Sequence, residues 1–277
     1  MTHMNLSVLI RNARMYIESK EIFRDWHLST LDYFLSKAGL RDCVRVRCMG
    51  KKACVDPVLY RTAVWAYYNG FIKGIDCMGN AIALNDTWLS INEFGHAEVS
   101  VDGVNMVFLS FKPTFFDVFV LRDYDVVDYR NRRVVDVGAF VGDSSIYFVK
   151  RGATFVYAIE PNNSAYSELI LNAEMNGVRD AIKPINMTVG RNGTSLAKLI
   201  EDYGIKTDIL KMDCEGCEYD VVLNPTESIN EINEIVMELH KWFGDYHKVK
   251  YVLKKYFDCQ AVRTNEEVEI LHCIKKK

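Results

Sequence analysis

Residues 133–162, RVVDVGAFVGDSSIYFVKRGATFVYAIEPN, constrain the fold of this chain more than any other stretch. Val134, Val135 and Val137 form a short β-branched run bounded by turn signals, the pattern of a buried strand, with Asp136 inside it. Gly138 and Gly142 bracket a loop, after which Ile146, Phe148 and Val149 recur at helical spacing. Phe155, Val156, Ala158 and Ile159 restore a strand that stops at Glu160-Pro161. The order strand, glycine loop, helix, strand, acid is that of a βαβ unit.

Each part has a physical use. Glycines at 138 and 142 allow a sharp backbone turn and the close approach of a ligand. The loop opens a helix whose free N–H groups can face a polar group. An acid at the end of the second strand, here Glu160, is placed to accept hydrogen bonds from ribose hydroxyls. The loop is not G-x-G-x-x-G, because Phe140 stands where the middle glycine would let the backbone approach a pyrophosphate. That favours a nucleoside ligand without a diphosphate and disfavours a nicotinamide oxidoreductase.

Asp136-x-Gly138-x-x-x-Gly142 with Glu160 resembles the cofactor-binding motifs of class I S-adenosylmethionine-dependent methyltransferases. The later segment DILKMDCEGCEYDVV, Asp208 to Val222, resembles the K-x-D-x-E-G-x-E signature of the FkbM-type methyltransferases. The match runs from about Val134 to the C-terminus. It implies S-adenosyl-L-methionine as cofactor and O-methylation of a small-molecule or sugar hydroxyl. It further implies that Asp136 and the Gly138–Gly142 loop border the methionine part with Phe140 shaping the wall, that Glu160 holds the ribose diol, and that Asn162 or Pro161 flanks the adenine, with Asp143 a further cofactor-binding candidate. The signature carries Lys211, Asp213 and Glu215 as candidate catalytic residues, with Gly216 and Glu218 beside them. His240, ending the strand pattern EIVMEL, joins them as a candidate base.

The pattern along the rest of the chain agrees with an α/β fold. After Pro161, apolar runs at 181–188, 208–212 and 234–239 alternate with helical stretches, and 259–262 and 268–274 make a closing pair. Five strands in order plus that pair match a seven-stranded Rossmann-like methyltransferase sheet with helices on both faces, occupying residues 112–277. Residues 1–111 form a separate helical and small antiparallel β region, a candidate for acceptor recognition or a lid. Helices are expected up to Gly39 and from Pro57 to Lys73, one alternating basic strand over Arg41 to Lys52, and short strands between Ala81 and Ser110. Asp102-Gly103 is a hairpin signal. Phe115, Phe116, Phe119 and Val120 suggest one turn-rich helix before the βαβ unit.

With 34 Lys and Arg against 37 Asp and Glu, the 277 residues carry a formal charge of −3, so there is no global pull toward nucleic acid or an anionic membrane. The basic stretch Arg41 to Lys52 has no interleaved aromatic residues for base stacking. The expected acceptor is therefore a small molecule or glycan, with nucleic acid not expected, no membrane partner and an oligomeric state that is not readable. No apolar run is long enough to span a bilayer, and Arg11 and Arg14 interrupt any secretory core, so a cytoplasmic location is expected. The eight cysteines are expected as free buried thiols. Asp213 with Glu238 could hold a divalent ion, but no ligand geometry follows from the sequence and no metal is assigned. Competing readings are an RNA or protein methyltransferase on the same fold, and a module that binds the cofactor without chemistry. Asp-Cys-Glu-Gly after the fourth strand, in place of an N-P-P-Y-type loop, argues against N-methylation of a base.

Overall fold

The computed structural model describes residues 6–191, 193–224, 229 and 232–277. The chain divides into two compact units, Met1–Arg122 and Asp123–Lys277.

The first unit begins with α1 (Leu6–Glu18) and α2 (Trp26–Lys37), then the hairpin β1 (Val44–Cys48) and β2 (Lys51–Val55), then α3 (Pro57–Tyr68). The basic stretch expected as one strand is this hairpin. It reverses at Met49-Gly50, where both residues have positive φ, 49° and 81°, as a tight two-residue turn requires. Helix α3 starts where expected, because the Asp56 carboxylate accepts the Val58 and Leu59 N–H groups and Pro57 sits in the first turn. It stops short of Lys73, since Gly70 at φ 75° ends the helical path. A five-stranded antiparallel meander follows: β3 (Ile75–Met78), β4 (Ala81–Leu84), β5 (Thr87–Ile91), β6 (Ala97–Val101) and β7 (Val104–Phe108). Strand β3 was not among the strands expected from the sequence. Phe116–Val120 is a single π-helical turn, and the Phe108, Phe115 and Phe119 rings pack 4.6–5.7 Å apart. Those contacts tie residues beyond Phe111 to the meander, so the division falls after Arg122.

The second unit is the α/β domain. Its elements are β8 (Arg133–Val137), α4 (Asp143–Lys150), β9 (Phe155–Ile159), α5 (Asn163–Met175), β10 (Ile182–Ile185), α6 (Leu196–Tyr203), β11 (Ile209–Met212), α7 (Cys217–Leu223), β12 (Glu234–His240), α8 (Tyr246–Tyr256), β13 (Phe257–Thr264) and β14 (Val268–Lys275). The seven strands lie in the order β10-β9-β8-β11-β12-β14-β13. Strands β8 to β12 run parallel, and β14 pairs antiparallel with both β12 and β13. The fold is thus the mixed seven-stranded Rossmann-like sheet expected from the alternation. Val135, Val137, Leu210, Met212, Ile235 and Met237 are buried along its centre. The chain builds outward from β8 through β9 to β10, then returns to place β11 on the other side of β8. The strand order therefore reverses between β8 and β11, and ligands of such sheets bind beyond the strand ends at that point.

The cysteines differ from the expectation. The structure pairs them as Cys43–Cys54, Cys48–Cys77, Cys214–Cys217 and Cys259–Cys273, and none is free. Strand register brings about the last of these, since Cys259 and Cys273 face each other across β13 and β14. Such register is invisible in the spacing along the chain. Among the described residues, no helix is long and apolar enough to cross a membrane.

Candidate active site

Beneath the site lies a buried ion pair. Asp136 on β8 and Lys211 on β11 are register partners, 0% and 1% exposed. The Lys211 Nζ lies 2.9 Å from Asp136 Oδ1 and donates to the Gly138 carbonyl at 2.8 Å. Asp136 Oδ2 accepts the hydroxyls of Ser144 and Ser145, both at 2.6 Å, from the first turn of α4. Burial works to lower the Lys211 pKa, but Asp136 and Asp213 outweigh it and hold the amine charged. Lys211 therefore braces the glycine loop against β11, and its ion-pair partner is Asp136 on the neighbouring strand. Its ammonium also faces the Tyr124 ring, 5.4 Å from the centroid. Burial drives the Tyr124 hydroxyl pKa upward, so this group stays protonated and donates to Asp213 Oδ2 at 3.1 Å.

Two glycines are fixed by geometry. Gly138 has φ 78°, and a Cβ there would lie 1.7 Å from the Asp213 carbonyl oxygen. Gly142 has φ 84° and precedes α4, whose first residue, Asp143, is buried. Between them Phe140 takes φ 45° and is 37% exposed, presenting its ring at the loop surface.

Glu160 follows β9 and joins the glycine loop to the next turn. One oxygen accepts the Phe140 N–H at 2.9 Å and the other the Asn162 N–H at 2.7 Å. Burial raises the Glu160 pKa, and these two backbone bonds act in the opposite sense. Each carboxylate oxygen has a further lone pair. Pro161 lies exposed between them. The Asn162 side chain caps α5 by accepting the Ser164 and Ala165 N–H groups.

The second cluster gathers at the ends of β11 and β12. Glu218 is 0% exposed and accepts the Cys214 and Gly216 N–H groups at 2.9 and 2.8 Å. It also pairs with His240 Nδ1 at 3.2 Å. The other ring nitrogen, Nε2, is 3.9 Å from Asp213, 3.7 Å from Glu215 and 3.9 Å from Glu238. Burial lowers the His240 pKa, yet the Glu218 bond and the surrounding carboxylates raise it to about 9. The imidazole is thus protonated at neutral pH, and the groups placed to accept a proton there are the carboxylates. Glu215 is the exposed one, held at φ 54° in a turn closed by the Cys214–Cys217 disulfide. Trp242 packs edge-on against His240 at 4.9 Å, and Phe243 covers Gly216, where any Cβ would meet its ring at 2.5 Å. Both rings are about half exposed.

The sequence-derived residues therefore form two groups. Gly138, Phe140, Gly142, Glu160, Pro161 and Asn162 belong to the loop at β8 and β9. Asp213, Glu215 and His240 meet at β11 and β12. Asp136 and Lys211 lie below both. Ser144, Ser145, Trp242 and Phe243 were not among the residues expected from the sequence. The consecutive aromatics after a strand-end histidine were the signal available for the last two.

No protein-family model matches the chain. One curated relative, an uncharacterized RNA methyltransferase of Caldanaerobacter subterraneus subsp. tengcongensis, is 31% identical over 91 residues, 32% of this chain and 19% of that protein. The chain thus spans about a fifth of the curated relative it matches. Among solved structures, a ribosomal protein L11 methylase from Lactobacillus delbrueckii subsp. bulgaricus has a TM-score of 0.45 at 17% identity, covering 56% of this chain and 77% of that one. A dimethyladenosine transferase from Plasmodium falciparum has a TM-score of 0.43 at 12% identity, covering 60% and 62%. The expectation that nucleic acid is not a partner is corrected by the curated relative, which is named as an RNA methyltransferase. Net charge does not decide the matter, because it is a global quantity and recognition needs only a local surface.

Proposed function

We propose that this chain is an S-adenosylmethionine-dependent methyltransferase acting on RNA, with a hydroxyl oxygen as the methyl acceptor. The observation that carries the reading is Glu160, an acid at the end of β9 whose two oxygens are fixed by the Phe140 and Asn162 N–H groups beside the glycine loop. That arrangement presents lone pairs to a ribose diol at the end of β9, the strand next to β8 at the topological switch point. The donor set fits the cofactor there: a preorganised acid, an exposed ring at Phe140 and a loop braced by Lys211. Asp136 takes a supporting role, since Lys211, Ser144 and Ser145 already occupy it.

When bound, the cofactor supplies an electrophilic methyl group on a sulfonium. The chain's own work is to orient the acceptor and receive its proton. Asp213, Glu215 and Glu238 surround the space in front of His240 Nε2. A carboxylate of this group accepts the hydroxyl proton, while the His240 cation holds the acids in place. The RNA acceptor is supported by the named activity of the curated relative. The hydroxyl is supported by the Asp213-Cys214-Glu215-Gly216 loop, which offers acids where base N-methylation uses a different loop.

The test is transfer of labelled methyl groups from S-adenosylmethionine into total RNA, followed by digestion to nucleosides. Calorimetric titration with S-adenosylhomocysteine, with Glu160→Ala as control, accompanies it. The reading expects nucleoside binding lost in the variant and label on ribose. Absence of binding to the wild-type chain would overturn the cofactor assignment, and label on a base would overturn the hydroxyl.

A further inference from the structure

We infer that Cys214–Cys217 is a redox-active disulfide, which exchanges with an external dithiol and so sets where Glu215 stands against His240. The pair closes a C-x-x-C turn, and its two residues differ in access. Cys214 is half-buried, whereas Cys217 is 9% exposed and packs in the core of the α/β unit. Thiol–disulfide exchange needs a sulfur that an incoming thiolate can reach. Cys214 is the residue open to that attack, and the neighbouring Glu215 side chain is 73% exposed. Cys48–Cys77 is the opposite case, with both residues at most 1% exposed.

The turn hangs between two fixed points. Before it, the Asp213 N–H donates to the Val137 carbonyl at 3.0 Å, which holds the end of β11 on β8. After it, Glu218 is fully buried and bonded to His240 Nδ1, and the Tyr219 hydroxyl donates to the His240 carbonyl at 2.8 Å. Residues 214–217 are therefore the part that responds when the cross-link opens. Within them Glu215 takes φ 54°, a backbone conformation that residues with a Cβ seldom adopt. The cross-link, with the bonds from the Cys214 and Gly216 N–H groups to Glu218, holds it there. That conformation puts a Glu215 oxygen 3.7 Å from His240 Nε2. With the disulfide open, the turn relaxes and carries Glu215 away from the ring into solvent. The fixed ends keep the two sulfurs within reach of each other, so the step reverses.

The exchange runs in two steps. A thiolate of the dithiol attacks Cys214 Sγ, the Sγ–Sγ bond breaks, and Cys217 leaves as a thiolate that takes up a proton. The second thiol of the reagent then attacks its partner sulfur in the mixed disulfide and releases Cys214 as a thiol. Two electrons and two protons pass from the dithiol to the pair, and the dithiol ends as a disulfide. This chemistry does not need the methyltransferase reading. Its consequence rests on that reading: with Glu215 withdrawn, one of the three carboxylates in front of His240 is lost to the acceptor.

The experiment is stepwise reduction of the full native chain with dithiothreitol, with iodoacetamide labelling located by mass spectrometry and amide hydrogen exchange followed in parallel. At a dithiothreitol concentration that leaves Cys48–Cys77 joined, Cys214 and Cys217 are expected to take one label each. On that reduction the Cys214 and Gly216 amides should exchange at least about tenfold faster, the ratio that follows from losing a hydrogen bond to a charged acceptor. The Asp213 amide should keep its rate, and reoxidation should restore all three. Cys217→Ser should show the fast exchange without reductant, and its Cys214 thiol should be labelled faster than the Cys217 thiol of Cys214→Ser. A pair that opens only together with Cys48–Cys77, or that opens with exchange at 214 and 216 unchanged, would overturn the proposal. The wild-type chain decides this even if a serine variant does not fold. Neither readout uses methyl transfer, so failure here is separate from failure of the methyltransferase reading.

Discussion

Lys211 and Asp136 show how one buried pair sets the loop above it. The lysine reaches the Gly138 carbonyl as well as the carboxylate. Lys211→Met keeps the volume but leaves Asp136 buried with only the two serine hydroxyls. Breaking a buried pair from one side costs about 3–5 kcal/mol. Chemical denaturation should show a loss of that size, and S-adenosylhomocysteine binding should weaken as Gly138 is released. Gly138→Ala attacks the same loop through sterics. Its left-handed backbone alone costs about 1–3 kcal/mol with a Cβ, and the contact with the Asp213 carbonyl at 1.7 Å cannot be met without moving β11. A lowered Tm with loss of nucleoside binding is the expected outcome. Asp32 in the first unit gives a pH signature. Arg45, reinforced by Arg41, holds its carboxyl below the usual carboxylate range. A folded pKa depressed in this way gives stability that is complete above the unfolded value of about 4 and is lost as pH falls through the folded one. Both arginines are more than a third exposed, so screening limits the effect to about 1 kcal/mol. Asp32→Asn should therefore be less stable than wild type at pH 7, with the difference vanishing toward pH 2 in urea unfolding at each pH.

Elements whose signal was local were legible in the sequence. Strand β8, the glycine loop and α4 follow from β-branching, two glycines and helical spacing, all within a short window. Helix α3 is another case, since Asp56 and Pro57 mark its start. Asp56→Ala should cost about 1 kcal/mol, the usual value of a lost N-cap, measured by thermal unfolding of the first unit. The features that escaped were those set at a distance. The β1–β2 hairpin turns on Met49-Gly50, a pair with no strong turn signature, so an alternating strand looked continuous. The register of β11 on β8 pairs Lys211 with Asp136, a partner 75 residues away that spacing does not reveal. In the site, Glu160 and the loop were legible because they belong to one βαβ unit. The enclosure of His240 by Asp213, Glu215 and Glu238 was only foreshadowed, as a convergence of strand ends. It depends on β11 and β12 being neighbours.

At the scale of the molecule the disulfides divide as the units do. Cys43–Cys54 and Cys48–Cys77 lie in the first unit, and Cys214–Cys217 and Cys259–Cys273 in the second. Their loops differ in length, with separations of 11, 29, 3 and 14 residues in that order. A cross-link destabilises the unfolded chain more as the loop it closes grows, by about 4 kcal/mol for the longest here and about 2 kcal/mol for the shortest. Reduction should therefore weaken the first unit more than the second. Unfolding with and without a phosphine reductant, alongside Cys77→Ser and Cys217→Ser, separates the contributions. Cys77→Ser should reproduce the larger share of the reductant's effect on the first unit, and Cys217→Ser should cost less, about 2 kcal/mol. A reductant without effect on either unit would mean that the pairs are not joined in solution. Cys217→Ser also probes the turn that carries Glu215. Assayed under conditions where the variant is fully folded, any change in methyl transfer would come from the turn's position.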